Sequence, residues 1–145
     1  MKAYLTRRYR FPASHRLHSD ALSGAENFDL YGKCNHPFGH GHNYGVEITV
    51  SGQVDPTTGM VCNLADLDGF VNQNIMSVLD HSHLNELDAF REVVPTTENL
   101  CLEIQGILQR GFNAANVEKV KIQETRKNSF ETFSPRDGGQ KIEMR

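Results

Sequence analysis

The chain has 145 residues and a formal net charge of −3, with 15 Lys and Arg against 18 Asp and Glu. That length suits one domain with its own core, and the acidic balance argues against a nucleic-acid partner or an anionic membrane surface. No apolar run approaches a membrane span and the N-terminus lacks a signal peptide's hydrophobic region, so a cytoplasmic protein is expected.

Ala3 to Ser14 reads as a strand with Tyr9, Phe11 and Ala13 on one face and His15 continuing it. The cluster Arg7, Arg8 and Arg10 on this segment reads as a solvated strand face. Ser19 to Lys33 is a polar loop with a turn of helix expected around Glu26 to Leu30. Tyr44 to Val54 is the clearest strand, because Val46, Ile48 and Val50 alternate with Glu47, Thr49 and Ser51. Asp55 to Gly59 is a turn, and Met60 to Cys62 is expected to return as a short strand. Asn63 caps a helix whose apolar stripe is Leu64, Leu67, Val71, Ile75, Val78 and Leu79. A second helix is expected from Thr97 to Gly111, burying Leu100, Ile104, Ile107 and Leu108. Val117 to Thr125 is a strand, and Phe130 to Phe133 a final edge strand. The fold class is therefore α+β: a four-stranded antiparallel sheet with two helices on one face. The domain spans residues 1–134, and residues 135–145, rich in Gly and charge, read as a flexible tail. Exposed sheet edges favour pairing with another subunit.

The segment Cys34-Asn35-His36-Pro37-Phe38-Gly39-His40-Gly41-His42 carries the chemistry. His40 and His42 are two apart, so on an extended backbone they point the same way and converge on one ion. The third ligand candidate is His15, ending a strand that could pair with the one His40 and His42 enter. Three imidazoles with an open position are a recurring catalytic zinc arrangement, whereas a fourth protein ligand closes a structural site. Cys34 could supply that fourth ligand, serve as an acid/base thiol or be buried packing. Its polar neighbours and the turn at Pro37 and Gly39 disfavour an apolar core. Cys62 and Cys101 read as core residues; the three cysteines show no CxxC spacing and no disulfide framework is expected. Asp80 and His81 hold the ingredients of a proton relay, against the simpler reading of a histidine at a helix C-terminus. Glu124, on the face of Val120 and Ile122, points inward and needs a partner: an amidine-like pair of ligand N–H groups, or an internal salt bridge. Thr96, Thr97 and Glu98 stand at a helix start, where capping is the simple role.

Taken together, these residues resemble the 6-pyruvoyltetrahydropterin synthase family of the tunnelling fold, over roughly Leu5 to Phe133. The matching segments are Phe11 to Leu17, Tyr31 to Asn35, Gly39 to Tyr44, Asp55 to Val61, Asn63 to Leu67, Leu79 to His81, Thr96 to Asn99 and Lys121 to Thr125. The resemblance implies His15, His40 and His42 as ligands of one Zn2+ per subunit and Cys34 as general base. Asp80 and His81 would relay protons from a neighbouring subunit, and Glu124 would anchor a pterin ring with help from Thr96 and Thr97. It further implies trimers closed into a β-barrel and stacked as a homohexamer, with a pterin triphosphate as the small-molecule partner. The implied reaction is a lyase step of tetrahydrobiopterin-type biosynthesis: 7,8-dihydroneopterin triphosphate becomes 6-pyruvoyltetrahydropterin, releasing triphosphate. A sister activity, 6-carboxytetrahydropterin synthase, typically has three residues between its Cys and its His-Gly-His; Cys34 and His40 enclose five, as in the pyruvoyl-type enzyme. A non-catalytic, zinc-stabilised pterin-binding module is the alternative of another class. His83, just past the relay pair, competes with His81 for its role, and the tail after Pro135 has no family counterpart.

Overall fold

A computed structural model describes residues 1–135; most of the expected tail, 135–145, lies outside the described residues. The sheet has five strands, β1 (Lys2–His15), β2 (His40–Gln53), β3 (Ser82–His83), β4 (Asn116–Gln123) and β5 (Ser129–Phe133), in the order β3-β1-β2-β4-β5. Strand β1 (Lys2–His15) pairs antiparallel with β2 (His40–Gln53) along its whole length, from Lys2 opposite Gln53 to His15 opposite His40. Strand β4 (Asn116–Gln123) pairs antiparallel with β2, with an irregularity at Thr49 and Val50, and β5 (Ser129–Phe133) closes the far edge.

The expected four-stranded antiparallel sheet is corrected by β3 (Ser82–His83), which runs parallel to β1 at Ala13 and Ser14. Two residues carry no alternation, so no sequence pattern announces such a strand. The expected return strand at Met60 to Cys62 does not form; that segment bends, and the Asp55 N–H donates to the Met60 carbonyl at 3.0 Å.

Helix α1 (Gly24–Tyr31) is longer than the expected turn, because Ser23 and Glu26 form a reciprocal capping box. After the Asn63 cap, the first long helix is not uniform. It runs as α2 (Leu64–Val71), a π turn over Asn72–Met76 and a short α3 (Ser77–Leu79). Leu67, Val71, Ile75 and Leu79 are all buried and spaced by four. That spacing overruns a 3.6-residue turn, and the wider π turn absorbs the drift. Helix α4 (Thr97–Gly111) buries Leu100, Cys101, Ile104 and Leu108.

Both groups of helices cover one sheet face, which contributes Phe11, Ala13, Tyr44, Val46, Ile48, Val50, Val120 and Ile122. Arg7 lies on this face, not with the solvated Arg8 and Arg10. It donates through Nε and Nη2 to the two oxygens of Asp68 at 3.0 and 2.8 Å, while the Tyr9 hydroxyl donates to Asp68 Oδ1 at 2.7 Å. Among the described residues no helix is long and apolar enough to cross a membrane.

Candidate functional site

The β1–β2 register builds the site. Alternation puts His15, following Phe11 and Ala13, on the helix-covered face, and puts His42 there beside Tyr44 on the next strand. The His15 ring is fully buried, and its Nδ1 lies 2.8 Å from the Pro95 carbonyl. A carbonyl only accepts, so Nδ1 carries the proton and Nε2 presents a bare lone pair. Nε2 of His15 and Nε2 of His42 are both buried without a hydrogen-bond partner among the described residues. Leaving two buried ring nitrogens dry and unpaired costs about 1–3 kcal/mol each, a cost that a cation bound between them would remove. Burial lowers the pKa of both rings and keeps them neutral, the state in which they can ligate.

The donor atoms of His15, Cys34 and His42 all lie within 4.8 Å of one another, a group able to hold a metal ion. The close-set trio thus includes the thiol and leaves out His40. The His40 ring is exposed and packs edge-on against His42, with centroids 4.8 Å apart. Cys34 sits in a 3-10 turn, Gly32–Asn35, pinned to the end of β1. The Leu17 N–H donates to the Cys34 carbonyl at 2.7 Å, Arg16 Nε to the Asn35 carbonyl at 3.1 Å, and Asn35 Nδ2 to the Leu17 carbonyl at 2.8 Å. Burial pushes the Cys34 thiol up, and the negative charge of Glu124 adds to the effect. A thiolate there requires a cation facing it.

Asp80 and His81 do meet: Nδ1 of the ring lies 2.8 Å from Asp80 Oδ1. His81 holds a φ of 57°, a left-handed conformation unusual for a residue with a Cβ, and its N–H donates to the Pro12 carbonyl at 2.7 Å. Its side chain is 79% exposed and borders a cleft shared with Ser14 and His42. His83 turns elsewhere: its Nδ1 lies 2.8 Å from Ser14 Oγ, and its ring packs over Gly39.

Glu124 follows β4 and is half-buried. It has no ion-pair partner among the described residues. Instead the buried Thr97 hydroxyl donates to its Oε2, and Asn128 Nδ2 donates to Oε1 at 3.3 Å. The two threonines therefore divide: Thr96 caps α4 by accepting the Asn99 N–H at 3.1 Å, and Thr97 orients the carboxylate. Glu124, Asn43, Gly45 and His42 border one cleft of about 490 Å³.

The sequence reading overlooked Tyr44. Its ring is buried against His15 and His42, and its hydroxyl lies 3.2 Å from His15 Nδ1. Burial, then the Glu124 and Cys34 charges, push that phenol up, so it stays protonated. The signal was available, since Tyr44 continues the two-residue spacing of His40 and His42. The supporting roles of Pro95 and Asn35 had no such signal.

Comparison with known proteins agrees with this geometry. The sequence matches the family described as 6-pyruvoyl tetrahydropterin synthase over residues 4–134. It is 49% identical over 128 residues to the 6-pyruvoyl tetrahydrobiopterin synthase of Homo sapiens, covering 88% of each chain. To that of Poecilia reticulata it is 49% identical over 126 residues, covering 86% of each. The solved structure of the 6-pyruvoyl tetrahydropterin synthase of Caenorhabditis elegans superposes with a TM-score of 0.87 at 37% identity, over 93% of this chain and 97% of that one. With fold and sequence matching along nearly its whole length, the chain belongs to the 6-pyruvoyl tetrahydropterin synthase family.

Proposed function

We propose that this chain is a zinc-dependent lyase of the carbon–oxygen class, carried by a single domain over residues 1–134, that converts 7,8-dihydroneopterin triphosphate to 6-pyruvoyltetrahydropterin and triphosphate. The observation that carries the reading is the pair of buried, unpaired Nε2 atoms of His15 and His42 beside the Cys34 thiol. Glu124, with no ion-pair partner among the described residues, borders the same cleft as His42.

His15 and His42 would hold the zinc through their unpaired Nε2 atoms, with His40, whose ring packs against that of His42, as the third ligand. Zinc, once bound, supplies Lewis acidity that makes a C–H beside a side-chain hydroxyl of the substrate more acidic. Cys34 is the base that removes this proton, and its turn is fastened to the end of β1 so that the sulfur stays at that spot. The Asp80–His81 pair returns a proton to the ring or carries one away. Asp80 fixes the ring's orientation by accepting from its Nδ1–H, which leaves Nε2 to exchange protons. Glu124 accepts two N–H bonds from the guanidine-like edge of the pterin, locked in place by Thr97. As triphosphate leaves and hydrogens shift along the side chain, oxidation of the side chain balances reduction of the ring. No outside oxidant or reductant enters.

The edge strands β3 and β5 suit an assembly of two stacked trimers, in which the exposed Asp80–His81 pair can serve a neighbouring subunit. A cytoplasmic site of action is part of the same reading. The five residues between Cys34 and His40 favour the pyruvoyl over the carboxy product.

The test is incubation of zinc-loaded protein with 7,8-dihydroneopterin triphosphate, followed by chromatography of pterins and assay of free triphosphate. Stoichiometric 6-pyruvoyltetrahydropterin and triphosphate support the proposal. Pterin binding without triphosphate release would leave a non-catalytic module, and a predominant 6-carboxy product would assign the sister activity.

A further inference from the structure

The triphosphate is the most charged part of the proposed substrate, and none of the residues assigned above holds it. Resting on that substrate assignment, we infer that Arg16 and Lys33 form the polyanion subsite, in the cleft on the far side of the histidines from Glu124. That cleft encloses about 710 Å³ and is lined by Arg16, Lys33, Asn35, His36, Gly39 and His40 among others.

Strand β2 acts as a ruler between the two ends. Gly45 pairs with Gln123, next to Glu124, while Gly39 and His40 stand at the other end with His42 between. At about 3.4 Å per residue, Gly39 lies about 20 Å from Gly45 along the strand. The substrate carries its ring and its triphosphate on opposite ends of a three-carbon chain. With the ring at Glu124 and the carbon chain at the imidazoles, the phosphates continue toward Gly39.

The lining has the matching charge. Among the described residues no Asp or Glu borders this cleft, whereas the cleft at the ring end holds Glu124, which would repel a triphosphate placed beside Arg10 and Arg126. Lys2, Arg7, Arg8, Arg91 and Lys119 each face a carboxylate; Arg16 and Lys33 face none among the described residues. Arg16 is anchored at its backbone by Asn85, which accepts its N–H at 2.7 Å and donates to its carbonyl at 2.8 Å. Its Nε is committed to the Asn35 carbonyl, leaving the two Nη groups for phosphate oxygens. Lys33 is exposed at the rim and adjoins Cys34 in sequence, so the polyanion is held next to the base.

Calorimetric titration of the zinc-loaded protein with inorganic tripolyphosphate, and separately with phosphate-free dihydroneopterin, tests this assignment. Zinc content is measured before and after, so that metal stripping is not counted as binding. Lys33→Gln should weaken tripolyphosphate by about tenfold and raise KM for the triphosphate substrate by a similar factor, leaving dihydroneopterin affinity unchanged. Arg16→Gln should weaken it further, but it also loosens the turn carrying Cys34, so Lys33→Gln is the deciding variant. Unchanged tripolyphosphate binding in Lys33→Gln overturns the subsite, as does a loss that appears in Arg126→Gln instead. Failure of the wild type to bind dihydroneopterin or turn over substrate refutes the functional reading separately, since tripolyphosphate binding is scored without it.

Discussion

Gly39 and Gly41 flank His40 and look equivalent in sequence, but the structure gives them different tasks, and replacing each by Ala separates them. Gly39 has a φ of 85°, and a Cβ there would stand 2.8 Å from His83 Cε1 and 3.2 Å from the His15 carbonyl oxygen. The left-handed backbone costs an Ala about 1–2 kcal/mol. Displacing His83 breaks its contact with Ser14, worth about 1 kcal/mol more. The carbonyl neighbour is backbone and cannot swing aside. Gly39→Ala should therefore lose about 2–3 kcal/mol, lower Tm by about 8 °C and weaken zinc binding by displacing the His15 end of β1. At Gly41 a Cβ meets nothing within 4 Å, and the residue borders both the His81 and the Glu124 clefts. Gly41→Ala should keep its Tm and its metal and raise KM by narrowing the entrance. Thermal melts, metal analysis and steady-state kinetics on the two variants check this together. Equal Tm values for the two would refute the argument that the close approach of His83 and of the His15 carbonyl requires a glycine at 39.

Cys34→Ala should retain zinc, measured by metal analysis, while turnover falls by about 10²–10⁴-fold; loss of the metal instead would make the thiol a ligand. Thr97→Val removes the hydroxyl that orients Glu124 and should weaken a pterin ligand by about tenfold, read by fluorescence titration, with little change in metal content. Hydrogen bonds from Arg7, then from Tyr9, hold the Asp68 carboxyl below the usual carboxylate range. Because the folded pKa is the depressed one, this pair's stabilisation is present above the ordinary aspartate pKa and is lost as pH falls through the folded value. Partial exposure of both side chains keeps the contribution small. Asp68→Asn should lower Tm at pH 7 and converge with the wild type in strong acid, by calorimetry across pH.

Much of the site was legible because its residues obey the two-residue period of a strand. Phe11, Ala13 and His15 share one face, as do His42, Tyr44, Val46 and Ile48, and such a pattern states which side chains face the helices. Placing His15 opposite His40 needed only that the two strands pair over their full length. Contacts between distant segments were illegible. Nothing local told Arg7 apart from Arg8 until α2 brought Asp68 against it. Likewise Thr97 read as a cap until β4 delivered Glu124 to its hydroxyl.

The amino-acid order alone thus determined the long strands and helices, their inward faces and the run of donors from Cys34 to His42, because periodicity and turn chemistry are local; the two-residue β3 and the π turn lay beyond it. Tertiary structure decided which donors meet. It grouped His15 and His42 with the Cys34 sulfur, with the His40 ring left at the surface, and it turned His81 into a left-handed conformation beside Asp80. It also opened a cleft on each side of the histidines. Those outcomes depend on register, burial and packing between segments far apart in the chain, where no local pattern reaches.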